Sequence, residues 1–438
     1  MTAEALNPLQ IQAMAQAARG ASRFLATTPT ERRTEVLIQL AETLEHQAPV
    51  ILAANAEDLR AAQGLIDASS IQRLALDSAK LATMVQGVRA VAALPDPLHR
   101  VQLRRQLDEG LELTRVACPL GVLCVIFESR PDALIQISAL ALKSGNAVLL
   151  KGGSEAARSN AVLLAAVQSA LRDTGLPETA VQGLPDRAAV AALLQRPDLV
   201  DLVIPRGSNA LVRSIQDSTR IPVLGHSEGI CHIYLDAAAD TAMALALVRD
   251  AKLQYPSACN AVETVLIHRG AAARLLPALA ADLVPRGVEL RGCPACIERL
   301  PILAKATEAD WDAEYGAPIL ALKVVEDLDD ALAHIHLHGS GHTEAIVTAD
   351  AAAAARFLAE VDAAGVFHNA STRYADGFRY GFGAEVGIST GRIHARGPVG
   401  IEGLLSYRYL LRGHGQRVED YAGPAARPFT NRDLSVDP

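Results

Sequence analysis

Aromatic side chains are scarce: one Trp, seven Phe and eight Tyr make up 4% of a chain of 438 residues, although half of the sequence is hydrophobic. A core built on large rings is therefore excluded. Frequent alanine runs fit a helix-rich α/β protein whose layers pack closely on small side chains. An excess of positive charge is also missing, with 49 acidic against 41 basic residues and a net charge of -8. A mildly acidic surface gives no footprint for nucleic acid or an anionic membrane. An anionic ligand must then be held by a few local cations.

Long apolar runs are lacking as well. Stretches such as residues 121–127 are strand-length, far short of a membrane span. Residues 1–20 have no basic segment followed by an apolar core, so they do not read as a signal peptide. The six cysteines are scattered and form no disulfide framework in a chain this long. Reduced thiols and a cytoplasmic location are the expectation, which leaves a thiol available for chemistry.

The length fits two or three domains. The first hundred residues read as helices; at 31–47, Val36, Leu37, Leu40 and Leu44 form one stripe at helical spacing. After a Pro95–Pro97 break, residues 101–117 alternate across a turn at Asp108-Glu109-Gly110, a hairpin set apart for subunit contact. Strands are then expected at 121–127, 147–151, 199–204 and 221–224, with helices at 131–142, 155–172 and 208–216. A second unit follows, with strands at 230–235, 263–268, 319–325, 344–348 and 365–369. A last strand at 404–411 returns to the hairpin, and the tail beyond 417 reads as loose. The alternation implies two doubly wound parallel-sheet domains plus a small β element for oligomerisation. Ligands are expected beyond the strands' carboxyl ends. The expected division is a cofactor-binding domain at 1–224, a catalytic domain at 225–385, a return segment at 386–412 and a tail at 413–438.

Cys259 follows Tyr255-Pro256-Ser257-Ala258, in a loop between a helix and a buried strand. A thiolate attacks acyl carbons well, and a thioester accepts hydride. Local features leave a catalytic and an inert loop thiol both open. Cys118, Cys124 and Cys231 read as core. Cys293-Pro294-Ala295-Cys296 has the spacing of a metal-binding pair, but no second pair lies nearby, so zinc is not expected. His334, His336, His338 and His342 read as hydrogen-bonded or solvated histidines, and no metal is expected.

A set of motifs in fixed order goes further. Phe127-Glu128-Ser129-Arg130-Pro131, Lys151-Gly152-Gly153-Ser154-Glu155, Ile204-Pro205-Arg206-Gly207-Ser208, Ala258-Cys259-Asn260-Ala261-Val262-Glu263-Thr264, Gly383-Ala384-Glu385-Val386 and His394-Ala395-Arg396-Gly397-Pro398 resemble the gamma-glutamyl phosphate reductases (glutamate-5-semialdehyde dehydrogenases) of the aldehyde dehydrogenase superfamily. Gly225-His226-Ser227-Glu228-Gly229-Ile230 looks closer to the reductase half of bifunctional pyrroline-5-carboxylate synthase. The likeness runs from about residue 13 to residue 412.

The resemblance implies an aldehyde dehydrogenase-like fold and NADPH-dependent reduction of L-glutamyl 5-phosphate in proline biosynthesis, through a thioester on Cys259. It implies Asn260 or the Cys259 amide as oxyanion donor, and Lys151, Gly153, Ser154, Arg206, Gly207, Ser208 and Glu314 at NADPH. Arg130, Glu385 and Arg396 are the candidates for the substrate's anionic groups. Ser154 stands where NAD-using relatives carry a ribose-binding glutamate, which favours the 2′-phosphate of NADP, although Glu155 is a neighbour in register. Gly225 stands where hydrolytic relatives carry the glutamate that activates water, with Glu228 as its rival. A homodimer or homotetramer is expected, and a glutamate 5-kinase is the candidate partner protein. The alternatives are a hydrolytic aldehyde dehydrogenase and an inactive scaffold.

Overall fold

The computed structural model describes residues 7–207, 209–225 and 228–435. Five helices lead: α1 (Pro8–Leu25), α2 (Thr30–His46), α3 (Ala48–Ala62), α4 (Ala68–Leu74) and α5 (Ser78–Ala93). Asn7 and Gln10 cap the first turn of α1 reciprocally, the Gln10 amide donating to Asn7 at 3.0 Å and the Asn7 amide to Gln10 at 2.8 Å. The apolar stripe of α2 is fully buried.

β1 (Val101–Asp108) and β2 (Leu111–Pro119) form the expected hairpin. A parallel sheet follows, built from β3 (Val122–Phe127), α6 (Pro131–Lys143), β4 (Ala147–Lys151), α7 (Ala157–Asp173), β5 (Val181–Gly183), α8 (Arg187–Leu193), β6 (Leu202–Arg206) and α9 (Asn209–Ser218). Its strand order is β5-β4-β3-β6. Every residue of β3 is buried, as expected of a central strand covered on both faces. The order reverses at β3, so the crevice beyond β3 and β6 is where ligands bind in open α/β sheets.

The second sheet has seven parallel strands in the order β10-β9-β11-β8-β7-β12-β13. Its elements are β7 (Cys231–Leu235), α10 (Thr241–Leu253), β8 (Val262–His268), α11 (Arg269–Leu283), β9 (Glu289–Gly292), α12 (Pro294–Arg299), β10 (Ala304–Lys305), β11 (Ile319–Val325), α13 (Leu328–His338), β12 (Thr343–Val347), α14 (Ala351–Glu360) and β13 (Gly365–His368). A short antiparallel pair, β14 (Gly387–Ser389) and β15 (Gly397–Val399), precedes β16 (Leu405–Arg412), which pairs along its whole length with β2. The first sheet's core also takes in Ala384, Val386, Val399, Ile401 and Leu404, so the chain comes back to it after completing the second sheet.

Three expectations differ from the structure. Residues 221–224 make only one bridge, Val223 with Val203, because Pro222 has no amide to extend the ladder. The short strands β5 and β9 were too brief to show a period. The tail is not loose: β17 (Arg432–Asp433) pairs with β1, and the Tyr421 and Phe429 rings stack with centroids 4.4 Å apart. Its polar composition hid a docking that combines strand pairing, an aromatic stack and side-chain contacts such as the Arg105–Asp433 ion pair.

Candidate active site

The carboxyl ends of the first sheet bring several of the expected residues together. Arg206 ends β6, with Nη2 3.6 Å from Glu385 Oε1 and Nη1 donating to the Glu385 carbonyl at 3.4 Å. The Gly377 amide donates to the other Glu385 oxygen at 2.8 Å. Burial weakens the Arg206 guanidinium's hold on its proton and the nearby Arg130 charge adds to this, while Glu385, Asp132 and Cys259 oppose it. Burial likewise raises the Glu385 carboxyl against the pull of Arg206. Arg130, Glu385 and Cys259 thus lie within electrostatic reach of Arg206, and Cys259 within that of Glu385.

Cys259 sits in a turn between α10 and β8 and is partly exposed. Pro256 follows the end of α10, where a residue without an amide hydrogen cannot prolong the helix. Asn260 beside it is buried, and its Nδ2 donates to the Ala375 carbonyl at 2.8 Å. Thr372 Oγ1 donates to the Asn260 carbonyl at 2.7 Å. The cysteine turn is therefore pinned to residues 372–375, leaving one Asn260 amide hydrogen for other use.

That pinning reveals a residue with no signal in the sequence. Arg373 is 8% exposed, and its Nε donates to Gln254 Oε1 at 2.8 Å. Burial, then Arg379, lower its proton affinity, while Cys259 raises it. Arg206 from the first sheet and Arg373 from the turn after β13 thus both lie within electrostatic reach of Cys259. Gly229 was also missed. A Cβ there would stand 2.1 Å from the Cys259 carbonyl oxygen, so only a glycine backbone fits against the cysteine turn.

Beneath the turn lies an ion pair that the motif around Glu263 did not announce. Lys252 Nζ is 2.5 Å from Glu263 Oε2, and both side chains are fully buried. Burial raises the Glu263 carboxyl and lowers the Lys252 ammonium, each opposed by its partner. The Gly316 amide donates to Glu263 Oε1 at 3.4 Å, which ties the Glu314 loop to this pair. Glu314 itself accepts from Asn209 Nδ2, at the start of α9, at 3.3 Å.

Lys151 ends β4, donates to the Gly152 carbonyl and, among the described residues, has no carboxylate within ion-pairing distance. Ser154 is exposed at the start of a turn into α7. Glu155 is engaged elsewhere: its Oε1 accepts from the Ser129 amide at 2.5 Å and from Ser129 Oγ at 2.9 Å, and its carboxylate lies over Gly153. Gly207 opens the way to α9, where a Cβ would meet Glu128 Oε2 at 2.6 Å. Ser208 lies outside the described residues. Glu228 forms an ion pair with Arg213 of α9. A Cβ at Gly225 would find its nearest neighbour at 3.5 Å, so space alone does not exclude a side chain there. Arg396 is paired with Asp362 at 2.6 Å and lines a separate hollow with Pro95, Phe382 and Tyr407.

Comparison with known proteins gives the family and the fold. Residues 1–286 match the profile of the aldehyde dehydrogenase family. The chain is 59% identical over 425 residues to a gamma-glutamyl phosphate reductase of Synechococcus sp. (strain JA-2-3B'a(2-13)), covering 95% of this chain and 93% of the relative. It is 57% identical over 436 residues to that of Synechococcus sp. (strain JA-3-3Ab), covering 98% and 96%. The crystal structure of gamma-glutamyl phosphate reductase from Thermotoga maritima superposes with a TM-score of 0.90 at 38% identity, covering 93% of this chain and 99% of that one. The chain belongs to the aldehyde dehydrogenase family and, within it, to the gamma-glutamyl phosphate reductases.

Proposed function

We propose that this enzyme reduces L-glutamyl 5-phosphate to L-glutamate 5-semialdehyde, releasing phosphate, with NADPH as reductant and a thioester on Cys259. The observation that carries the reading is that residues 372–377 bind the Cys259 turn through Asn260, bring in Arg373, and hold Glu385 beside Arg206, in a chain whose relatives are gamma-glutamyl phosphate reductases. Cationic walls suit an acyl phosphate that also bears a carboxylate, since a guanidinium fork matches either anion.

Family membership implies a nicotinamide cofactor, and the residues present fit one. Lys151 stands at a strand end with no carboxylate within ion-pairing distance among the described residues, Gly207 brings the backbone close to Glu128 and Leu211 at the approach to α9, and Glu314 faces the start of α9. Two features favour NADPH. Ser154 carries no charge to repel a 2′-phosphate, and the Glu155 carboxylate is committed to Ser129. When bound, the cofactor supplies the hydride that reduces the thioester carbon.

The protein's own part begins with the Cys259 thiolate attacking the acyl carbon, while its backbone amide and the second Asn260 amide hydrogen steady the developing oxyanion. The bond from carbon to the phosphate oxygen breaks and phosphate leaves past the guanidiniums. After reduction, the carbon–sulfur bond breaks, the oxyanion collapses to the aldehyde and Cys259 returns as thiolate. Hydrolysis of the thioester needs a base beside it. Gly225 has no side chain and Glu228 is paired with Arg213, which favours reduction over a hydrolytic aldehyde dehydrogenase.

In this reading residues 1–224 bind the cofactor and residues 225–385 supply the nucleophile. β16 is an edge strand with Tyr407, Tyr409 and Leu411 exposed along it, which supports assembly into at least a dimer. No helix among the described residues is long and apolar enough to cross a membrane. The test is phosphate-dependent NADP⁺ reduction with the semialdehyde. Cys259→Ser is expected to lose roughly 10³-fold or more in turnover. Comparable turnover by the variant, or turnover without phosphate, overturns the reading.

A further inference from the structure

The reaction leaves one motif unused. Cys293 and Cys296 flank the start of α12, directly after β9, so a strand, a C-P-A-C segment and a helix follow one another. Their sulfurs are 3.6 Å apart. Cys293 Sγ accepts from the Val324 amide at 3.4 Å, and Cys296 Sγ can donate to the Leu322 carbonyl at the same distance. Among the described residues no group of three metal-binding side chains exists, so the pair has no partners with which to hold a metal.

We propose that Cys293 and Cys296 form a redox-active dithiol that a hydroperoxide closes to an intramolecular disulfide. The geometry assigns the roles. Both are buried, but Cys293 keeps 7% of its surface open and Cys296 none, so Cys293 takes the attacking role and Cys296 the resolving one. Hydrogen bonding with Cys296, then the neighbouring amides, pulls the Cys293 thiol down to about 5 against its burial.

The chemistry balances in two steps. The Cys293 thiolate attacks one peroxide oxygen, the O–O bond breaks, and Cys293 becomes a sulfenic acid as the other oxygen leaves as hydroxide and takes up a proton. Cys296 then gives up its proton and attacks the Cys293 sulfur, forming the S–S bond and releasing water. Sulfur loses two electrons and the peroxide gains them. Closure needs the sulfurs to approach from 3.6 Å to about 2.05 Å, a change side-chain rotation can supply in an i, i+3 pair.

The alternative is two small apolar side chains filling the second sheet's core, and one measurement separates the two. Trypsin cuts after Arg291 and Arg299, so the peptide 292–299 contains this pair and no other cysteine. Native full-length protein, as wild type and as Cys259→Ser, is exposed to hydrogen peroxide, unfolded with a maleimide and digested. In both, the peptide is expected to appear two hydrogens lighter and unlabelled, returning to the labelled form after dithiothreitol, while Cys124 and Cys231 stay labelled. Cys296→Ser is expected to stop at a singly oxygenated Cys293. A peptide that still carries two maleimides at peroxide sufficient to oxidise Cys259 in wild type overturns the proposal. So does one that gains oxygen without losing hydrogen when both cysteines are present.

Discussion

Gly229 and Arg373 act on Cys259 in different ways, one through space it leaves empty and the other through charge. Because a Cβ at Gly229 would stand 2.7 Å from both Cys259 Cα and its carbonyl carbon, Gly229→Ala must shift the cysteine turn. Misplacing a nucleophile by about 1 Å costs on the order of 10²-fold, so kcat is expected to fall by about that factor while circular dichroism stays unchanged. Unaltered kcat would show that the turn yields without consequence. Arg373→Lys keeps the charge but loses the planar fork, and KM for the phosphorylated substrate is expected to rise about tenfold with kcat less affected. Steady-state kinetics checks the split, and an unchanged KM removes Arg373 from substrate binding. The placement of Cys259 in a loop between a helix and a buried strand was legible because a proline stop, a following apolar strand and a family motif coincide there. Arg373 was not, since its position depends on a contact between Asn260 and Ala375, 115 residues apart, that leaves no spacing to read.

Elements with strong periodicity were legible nearly to the residue. The stripe of α2, the strand β4, the hairpin and the run of β11 coincide with what their sequences imply. Elements held by pairing rather than by their own pattern were not: β5 has three residues, and β17 has two exposed ones. The tail docks through β17, an Arg105–Asp433 ion pair and the hydrogen bond from Tyr421 to Asp108 at 2.9 Å. These contacts are exposed or only partly buried, and individually weak. Deleting residues 413–438 is expected to cost about 1–2 kcal/mol and lower Tm by a few degrees, leaving kcat intact. Scanning calorimetry with a parallel assay checks both, and loss of activity would give the tail a role in the site.

Across the whole molecule, stability carries a pH dependence set in the second sheet. His334 is buried beside His232, Lys323 and His338, and burial, with those neighbours, pushes its imidazole down to about 2 from an ordinary 6.5. Below pH 6.5 the unfolded chain takes up a proton that the folded chain refuses. Stability from this residue is therefore complete above 6.5 and lost as pH falls toward 2. Between pH 7.5 and 5.5 the loss is about 1.4 kcal/mol. Urea unfolding at the two values should show this difference for the native protein relative to His334→Gln. An equal slope in both would place the sensitivity elsewhere.

The first sheet's core is closed by Ala384, Val386, Val399, Ile401 and Leu404. On a ribosome, residues from 11 onward emerge long before the side chains that complete their packing. The intervening segment, whose own core lies between Ile233 and Val347, has all its partners in hand much earlier. Synthesis therefore reverses the order of the chain: the portion translated first is the portion that must wait, with apolar surface uncovered, until almost the last strand has left the exit tunnel.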